Sequence, residues 1–261
     1  MKIQFINLGK IKCQKKHLIK CENIEEKIIS PIYAVLFRHP ILGNVLYDTG
    51  NASDYKKYWP QSLQNDYPIA ELIPIEEGLK QKGITVNDID MLIMSHLHMD
   101  HAGGIRAFAG TKAGSHIIIS RSEYNNACSK LQQSDGSNAS KCYIREFFYD
   151  IPGIGFHLIQ DDCALADDFK IFIQQSHTPG VIGLIAGKNN PYIFTSDTVY
   201  TESAFNNLLP PGGSINATSD EFFDNIDKIK KLREETKGTI IFGHDNEQFE
   251  SYYKKGEFEK E

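Results

Sequence analysis

Positions 95–104 read Ser95-His96-Leu97-His98-Met99-Asp100-His101-Ala102-Gly103-Gly104. Three of the nine histidines and one carboxylate fall within six residues. Neutral imidazole and carboxylate together are ligands for Zn, Mn, Fe or Co. On an extended segment residues i and i+2 point the same way, so His96 and His98 can aim both rings at one cation. Where the chain then turns into a helix, Asp100 and His101 are redirected toward a second point nearby. The glycines that follow allow backbone to pack close to the site. The spacing is not the zincin one, in which two histidines four apart share a helix face with a glutamate. Unrelated surface or core histidines are the alternative, and polar groups rarely cluster behind an apolar strand without a job.

Three more candidates, His177, Asp197 and His244, sit at the C-terminal ends of apolar runs such as Ile193-Phe194-Thr195-Ser196 and Ile240-Ile241-Phe242-Gly243. Layered α/β folds assemble their sites at such strand ends. Singly, each reads equally well as a satisfied turn residue. Together with Asp100 and the three histidines of 96–101 they make seven ligands, a number that suits two metals. Asp48 also ends an apolar strand, where a carboxylate is expensive unless paired. It reads either as a partner for a metal-bound histidine or as a turn cap before Thr49-Gly50.

The elements that must position these residues can be read from the pattern. Asp90 to Met94 is a short buried strand leading into the motif, and Ala102 to Phe108 reads as the start of a helix. Lys2 to Cys13 and Ile32 to Phe37 read as strands, with a polar insert between them carrying Lys15, Lys16 and His17. Gly43 to Gly50 reads as a strand ending in a turn. Residues 51–70, around Trp59, lack periodicity and read as a long loop able to overhang a site. Pro74 to Lys82 is a helix stopped by Gly83. His116 to Ser120 is a buried strand whose His116 is read as packing, and Arg121 to Leu131 is a helix. Residues 132–141 are polar and Gly/Ser-containing, so a loop or insertion is expected. Phe147, Phe148 and Tyr149 are read as core. Asp168 to Gln175 and Val181 to Gly187 form a strand pair joined by 176–180, and Pro191 to Ser196 is a further strand. Thr218 to Lys237 is an amphipathic helix, and Thr239 to Gly243 a buried strand. Strands first, then strand–helix alternation, in two successive rounds, predict an α/β sandwich with helices outside two central sheets.

The 261 residues, 41% of them hydrophobic, suffice for one large core or two fused halves. The net charge of −6 leaves no basic footprint for nucleic acid. No run of 18 apolar residues predicts a membrane span, and the N-terminus is too short and mixed for a secretory signal. Five cysteines without a C-x-x-C motif read as free thiols in a reducing cytoplasm.

His-Leu-His-Met-Asp-His-Ala-Gly-Gly, then Ser176-His177-Thr178-Pro179-Gly180, Ser196-Asp197-Thr198-Val199-Tyr200 and Phe242-Gly243-His244-Asp245, resemble the ordered motifs of the metallo-β-lactamase superfamily. More narrowly, with Tyr47-Asp48-Thr49-Gly50 and Asp197-x-x-Tyr200, the chain is similar to the N-acyl homoserine lactone lactonases, the quorum-quenching branch. The resemblance spans nearly the whole chain. It implies a four-layer αββα sandwich of two mixed sheets with helices on the outer faces. Residues 1–261 then form a single domain of two αβ halves, with the insertion near 132–141. It implies two divalent metal ions, Zn2+ first with Fe, Mn or Co as alternatives. His96, His98 and His177 would hold one, Asp100, His101 and His244 the other, and Asp197 would bridge both. Tyr200 would contact the substrate carbonyl or ring oxygen, and Asp100 or Asp197 would shuttle the proton. The implied reaction is opening of the lactone ring by a hydroxide bridging the metals. Departures from the pattern are Met99 where an aromatic is common, Val181-Ile182 after Pro-Gly where a histidine usually follows shortly, and a longer segment over 125–163. The rivals are another hydrolase of the superfamily, such as a glyoxalase II-like thioesterase, and a non-catalytic metal-binding member. The expected partner is a small ester or lactone, with no nucleic acid and no membrane span, as monomer or homodimer.

Overall fold

The structure, a computed structural model, describes residues 1–20, 25–133, 139–140, 142–212 and 219–260. Its strands and helices alternate along the chain as follows. β1 (Lys2–Gln14), β2 (Lys27–His39) and β3 (Gly43–Tyr47) precede α1 (Tyr55–Tyr58), α2 (Gln61–Asp66), β4 (Ile69–Leu72) and α3 (Ile75–Lys80). β5 (Met91–Ile93), α4 (Met99–Ala102), β6 (Ile117–Ser120), α5 (Arg121–Gln133), β7 (Ala139–Ser140), β8 (Tyr143–Ile144), α6 (Arg145–Phe148) and β9 (Phe156–Ile159) complete the first half. The second half holds β10 (Cys163–Ala166), β11 (Phe169–Gln174), β12 (Val181–Ala186), β13 (Tyr192–Ser196), α7 (Glu202–Asn206), α8 (Ser219–Thr236) and β14 (Thr239–Phe242). α9 (Asn246–Lys255) and β15 (Phe258–Glu259) follow.

One sheet has the order β15-β1-β2-β3-β5-β6-β9, with β4 also paired to β1. β1 and β2 are a long antiparallel hairpin whose register shifts between Asn7 and Gly9. β3, β5, β6 and β9 then run parallel to one another. The other sheet has the order β10-β11-β12-β13-β14, antiparallel up to β13 and parallel between β13 and β14. The parallel strands therefore deliver their C-terminal ends in register, which is where a site can collect residues from several strands.

Side-chain alternation divides the apolar residues into three layers. Ile3, Phe5, Val35, Phe37, Val45 and Ile93 of the first sheet face Ile171, Ile182, Leu184, Phe194 and Ile241 of the second, forming the interior between the sheets. The intervening Ile6, Leu8, Ala34, Leu36 and Leu92 point the other way, onto Ile75, Leu79, Phe108, Ala127 and Phe147. On the far face of the second sheet, Phe172, Ile193 and Ile240 pack under Phe205, Phe222, Ile226 and Ile229 of α7 and α8. Strands buried on both faces read as near-continuous apolar runs, and this is why the sequence pattern located them. The result is the expected αββα sandwich of two mixed sheets.

Four expectations need correction. Residues 51–70 are not one long loop: α1 and α2 occupy much of the segment, and Trp59 and Tyr67 are buried against the first sheet's outer face. Helices of four to six residues are too short to print a 3.6-residue period. The helix expected after the motif is one turn at Met99–Ala102 followed by a 3-10 turn at Ile105–Phe108. His116 is exposed in a 3-10 turn before β6, its Nδ1 2.8 Å from Ser115 Oγ, and does not pack in the interior. β2 also begins five residues earlier than expected, where Lys27 pairs with Gln14 across the hairpin. Of the 132–141 insertion, positions 134–138 and 141 lie outside the described residues, as do Cys21 and the expected helix start at Thr218. Cys13, Cys128, Cys142 and Cys163 are in no disulfide. Among the described residues no helix is long and apolar enough to cross a membrane.

Candidate metal centre

The seven candidate ligands meet at the C-terminal edge of the parallel strands. His96 and His98 follow β5, Asp100 and His101 lie in α4, and His177 sits in the β11–β12 turn. Asp197 follows β13 and His244 follows β14. The close approach foreseen for the glycines is present. A Cβ on Gly103 would lie 2.2 Å from the amide nitrogen of Ala52, and one on Gly104 would lie 2.5 Å from the carbonyl oxygen of Thr49. Only a residue without a side chain lets the α4 turn press against the strand-end loop that carries Asp48. Asp48, His177 and Ser196 all have positive φ, 65°, 65° and 47°, a conformation that costs a non-glycine residue and clusters at functional sites.

The ligand atoms fall into two linked groups. His177 Nε2 lies 3.1 Å from His96 Nε2 and 2.9 Å from His98 Nδ1. On the other side, Asp100 Oδ2 is 3.9 Å from His101 Nε2 and 3.8 Å from His244 Nε2. Asp197 stands between them. Its Oδ2 is 3.9 Å from His96 Nε2 and 3.4 Å from His177 Nε2, and its Oδ1 is 3.2 Å from His101 Nε2 and 3.1 Å from His244 Nε2. The sets His96/His98/His177, His96/His101/Asp197 and Asp100/His101/His244 each bring their donor atoms within 4.8 Å of one another.

These residues fit a pair of cations on their own chemistry. A single imidazole proton cannot serve both short contacts of His177, so three ring nitrogens converge where a stronger positive charge is required. Zinc–nitrogen bonds of about 2.0–2.1 Å in a tetrahedron put ligand nitrogens roughly 3.3 Å apart, close to the separations seen. His101 Nε2 and Asp197 Oδ1 are buried and carry no hydrogen bond, a costly state for such atoms unless an ion completes them.

The ligand rings are fixed from behind. Asp48 Oδ2 lies 2.8 Å from His101 Nδ1, while Asp48 accepts the Ser95 backbone N–H and the Ser95 hydroxyl, each at 2.7 Å. Ser95 Oγ is in turn 3.0 Å from His96 Nδ1. The two readings of Asp48 are thereby decided for the histidine partner. Ser30 Oγ, 2.8 Å away, and the Pro31 carbonyl, at 3.1 Å, face His244 Nδ1. Tyr200 is buried, its hydroxyl 3.1 Å from His177 Nδ1. Such outer partners set the tautomer and aim of a ligating imidazole. Sequence reading missed the roles of Ser30 and Ser95. Ser95 abuts the motif and was within reach of it, but Ser30 lies 214 residues from His244 with no local signal.

Burial, with a smaller push from neighbouring imidazoles, holds His96 and His98 well below the usual histidine range, so both stay neutral and ready to ligate. Burial acts the same way on His101 and His244, but the surrounding carboxylates together outweigh it, Asp197 first with Asp48 and Asp100 at His101 and with Asp100 at His244, and hold both above that range. For Asp197 burial favours the acid, and the facing charges of His244 and His101 reverse this and keep it anionic. Burial also keeps Tyr200 protonated as an O–H donor.

The sequence model described as the metallo-beta-lactamase superfamily matches residues 29–244. An N-acyl homoserine lactonase of Bacillus sp is 31% identical over 172 residues, covering 65% of this chain and 61% of that protein, so this match spans less than two thirds of the relative's length. The N-acyl homoserine lactonase AttM of Azorhizobium caulinodans is 25% identical over 276 residues, 97% of each chain. A crystal structure of a quorum-quenching N-acyl homoserine lactone lactonase aligns with TM-score 0.76 at 26% identity, covering 96% of this chain and 94% of that one. Another solved structure, of an N-acyl homoserine lactone hydrolase with the product N-hexanoyl-L-homoserine at its catalytic metal center, aligns with TM-score 0.76 at 25% identity, over 96% of this chain and 95% of that one.

Proposed function

This chain belongs to the metallo-beta-lactamase superfamily, and from that premise we propose that it is a metal-dependent hydrolase that opens the lactone ring of N-acyl homoserine lactones. The observation that carries the reading is Asp197, whose carboxylate lies between the two histidine sets, 3.4 Å from His177 Nε2 on one side and 3.1 Å from His244 Nε2 on the other, where one ligand can serve two cations. Similarity to lactonase AttM over 97% of both chains supports the substrate class.

In this reading His96, His98 and His177 hold one divalent cation, Asp100, His101 and His244 hold the second, and Asp197 serves both. Zn2+ is proposed as the occupant from the likeness to the lactonases; the nitrogen and oxygen donors themselves suit Fe, Mn or Co as well. A cytoplasmic setting belongs to the same proposal, supported by the cysteines in no disulfide.

When bound, the cations supply the positive charge that brings a water's pKa to about 7 and polarises a carbonyl. The protein supplies everything else. His96 and His98 arrive neutral, so no proton must leave before they ligate. Asp48, Ser95, Ser30 and the Pro31 carbonyl hold the rings in aim. Tyr200 keeps its proton and donates it in a hydrogen bond to the substrate oxygen on which charge gathers, the carbonyl or the ring oxygen. Asp100 has 14% of its side chain exposed against 4% for Asp197, so it is the carboxylate nearer to incoming substrate. It accepts the proton that water gives up and returns it to the departing ring oxygen. Water thus adds across one C–O bond, its oxygen to the acyl carbon and a proton to the ring oxygen, giving the N-acyl homoserine.

The test is a substrate panel on metal-loaded protein: homoserine lactones of several acyl lengths, a glutathione thioester and a phosphodiester. Lactone hydrolysis should dominate. A preference for the thioester would move the chain to the thioesterase class, and a fully loaded protein inert on the panel would end the catalytic reading.

A further inference from the structure

The β6–α5 junction supplies no candidate ligand, yet it touches both segments that carry His96, His98 and His177. Leu97, between two ligand histidines, is wholly buried, so its backbone N–H must find a partner inside the protein. That partner is Glu123 of α5, itself fully buried, whose Oε1 accepts the Leu97 N–H at 2.9 Å. Its Oε2 accepts the Tyr143 hydroxyl at 3.3 Å, and the Tyr143 ring packs on the His98 ring with centroids 4.7 Å apart. Asn126 of the same helix donates to the Tyr143 oxygen at 2.8 Å, fixing the tyrosine from its other side.

The second arm of the junction reaches the His177 loop. Ser120 Oγ donates to the Gly180 carbonyl at 2.5 Å and accepts the Glu123 N–H at 3.1 Å, so one hydroxyl ties loop and helix together. A Cβ on Gly180 would come within 2.2 Å of both Ser120 Oγ and Ser122 Oγ, so the loop is seated directly on the junction. Among the described residues, no hydrogen bond or ion pair joins Glu123 or Ser120 to Asp100, His101 or His244, and His101 reaches Glu123 only through the longer-range field of its charge, so the helix turn makes its direct contacts with one half of the centre.

We infer that Glu123 and Ser120 form a clamp that positions the His96/His98/His177 half of the centre selectively, setting the affinity of that cation and not the other. The inference rests on the proposed division of ligands between two cations. Its physical basis is that a buried carboxylate accepting a backbone N–H is a strong, charge-assisted bond, and that ligands must be held within about 0.5 Å to bind well. Losing it orphans the Leu97 N–H and frees the stretch between two ligands. Glu123 is a positioning residue: it acts on the cation through Leu97, Tyr143 and Thr178, the neighbour of His177.

The test is a two-site Zn2+ titration against a competing chelator, with Co2+ absorption as a second readout of each site. Glu123→Ala should weaken one cation by about 10–100-fold and leave the other within threefold. Glu123→Gln keeps an oxygen for the Leu97 N–H and should restore part of the loss, whereas Glu123→Met, of similar volume but without an acceptor, should restore none; a merely volume-filling role predicts rescue by both. Ser120→Ala should weaken the same cation and serves as the decisive variant if Glu123→Ala does not fold. Unchanged affinities in Ser120→Ala and Glu123→Ala, or equal loss at both sites, would overturn the clamp. Failure of the unaltered protein to bind two cations would instead strike the ligand assignment, and is seen before any variant is made.

Discussion

Asp48 Oδ2 sits 2.8 Å from the Nδ1 of His101, and the same carboxylate holds the backbone and hydroxyl of Ser95, the residue before the first ligand histidine. One side chain thus fixes the start of the ligand stretch and a ring within it. Asp48 has φ of 65°, which asparagine tolerates and alanine does not. Asp48→Asn therefore removes the charge while sparing the backbone. It should weaken metal binding by about 10-fold, and Asp48→Ala by about 100-fold with an added stability loss of roughly 1 kcal/mol. Chelator competition and urea unfolding on both variants measure the two effects. Wild-type metal affinity in Asp48→Ala would show that His101 needs no orienting partner.

Tyr200→Phe separates binding from chemistry. The hydroxyl lies 3.1 Å from His177 Nδ1, and the ring contacts the rings of His177 and His244. Phenylalanine keeps the packing and loses one donor. Loss of a donor aimed at developing charge costs about 10²–10³ in kcat. The expected result is a fall of that order in kcat for lactones with KM and metal content little changed. A variant with normal kcat and lowered metal content would make Tyr200 a support for His177 only.

The strands and the seven candidate ligands were legible in the sequence because each has a local signature. Buried strands such as Ile117–Ser120 and Thr239–Phe242 are short apolar runs, and the ligands stand at their ends. What escaped was fixed by contacts distant in sequence or by elements too short to show a period. Ser30 opposite His244 is a hairpin residue whose partner arrives 214 positions later. Glu123 reads as an ordinary polar residue in the first turn of a helix, and only its complete burial marks it. A strand-end carboxylate before Thr-Gly serves either of two roles, and for Asp48 the 2.8 Å contact with His101 decides between them.

Removing the cations should lower stability, because ions that bind the folded state alone stabilise it by mass action. At free metal of about 100 times the Kd this is roughly 2.7 kcal/mol per site. At about 2–4 °C per kcal/mol for a chain near this size, chelation of one site should lower Tm by about 5–10 °C. Thermal melts with and without chelator check this, with recovery on adding back Zn2+. An unchanged melting temperature in a protein shown to be stripped would mean that the buried His–Asp contacts satisfy themselves without metal.

Far from the centre, His39 and Asp168 make a pair whose pH dependence can be signed. His39 Nδ1 accepts the N–H groups of Ile41 and Leu42, both at 3.1 Å, so the ring proton sits on Nε2, 2.9 Å from Asp168 Oδ1. Partial burial alone would raise the Asp168 carboxyl, but the hydrogen bond and electrostatic pull of the His39 N–H, with a backbone hydrogen bond and the N-terminal charge, together outweigh it and hold the group below its usual range. A carboxylate with a depressed folded pKa contributes stability that is complete above its unfolded value, about 3.9, and is lost as pH falls through the folded value. With 23% of the Asp168 side chain exposed, the contribution should be about 1 kcal/mol. Urea unfolding of metal-free protein and of Asp168→Asn at pH 6, 4 and 3 isolates it, because the titrating ligand histidines cancel in the difference. The native chain should lead by that amount at pH 6 and lose most of its lead by pH 3. A lead that persists unchanged at pH 3 would mean that the pair acts through packing and not through charge.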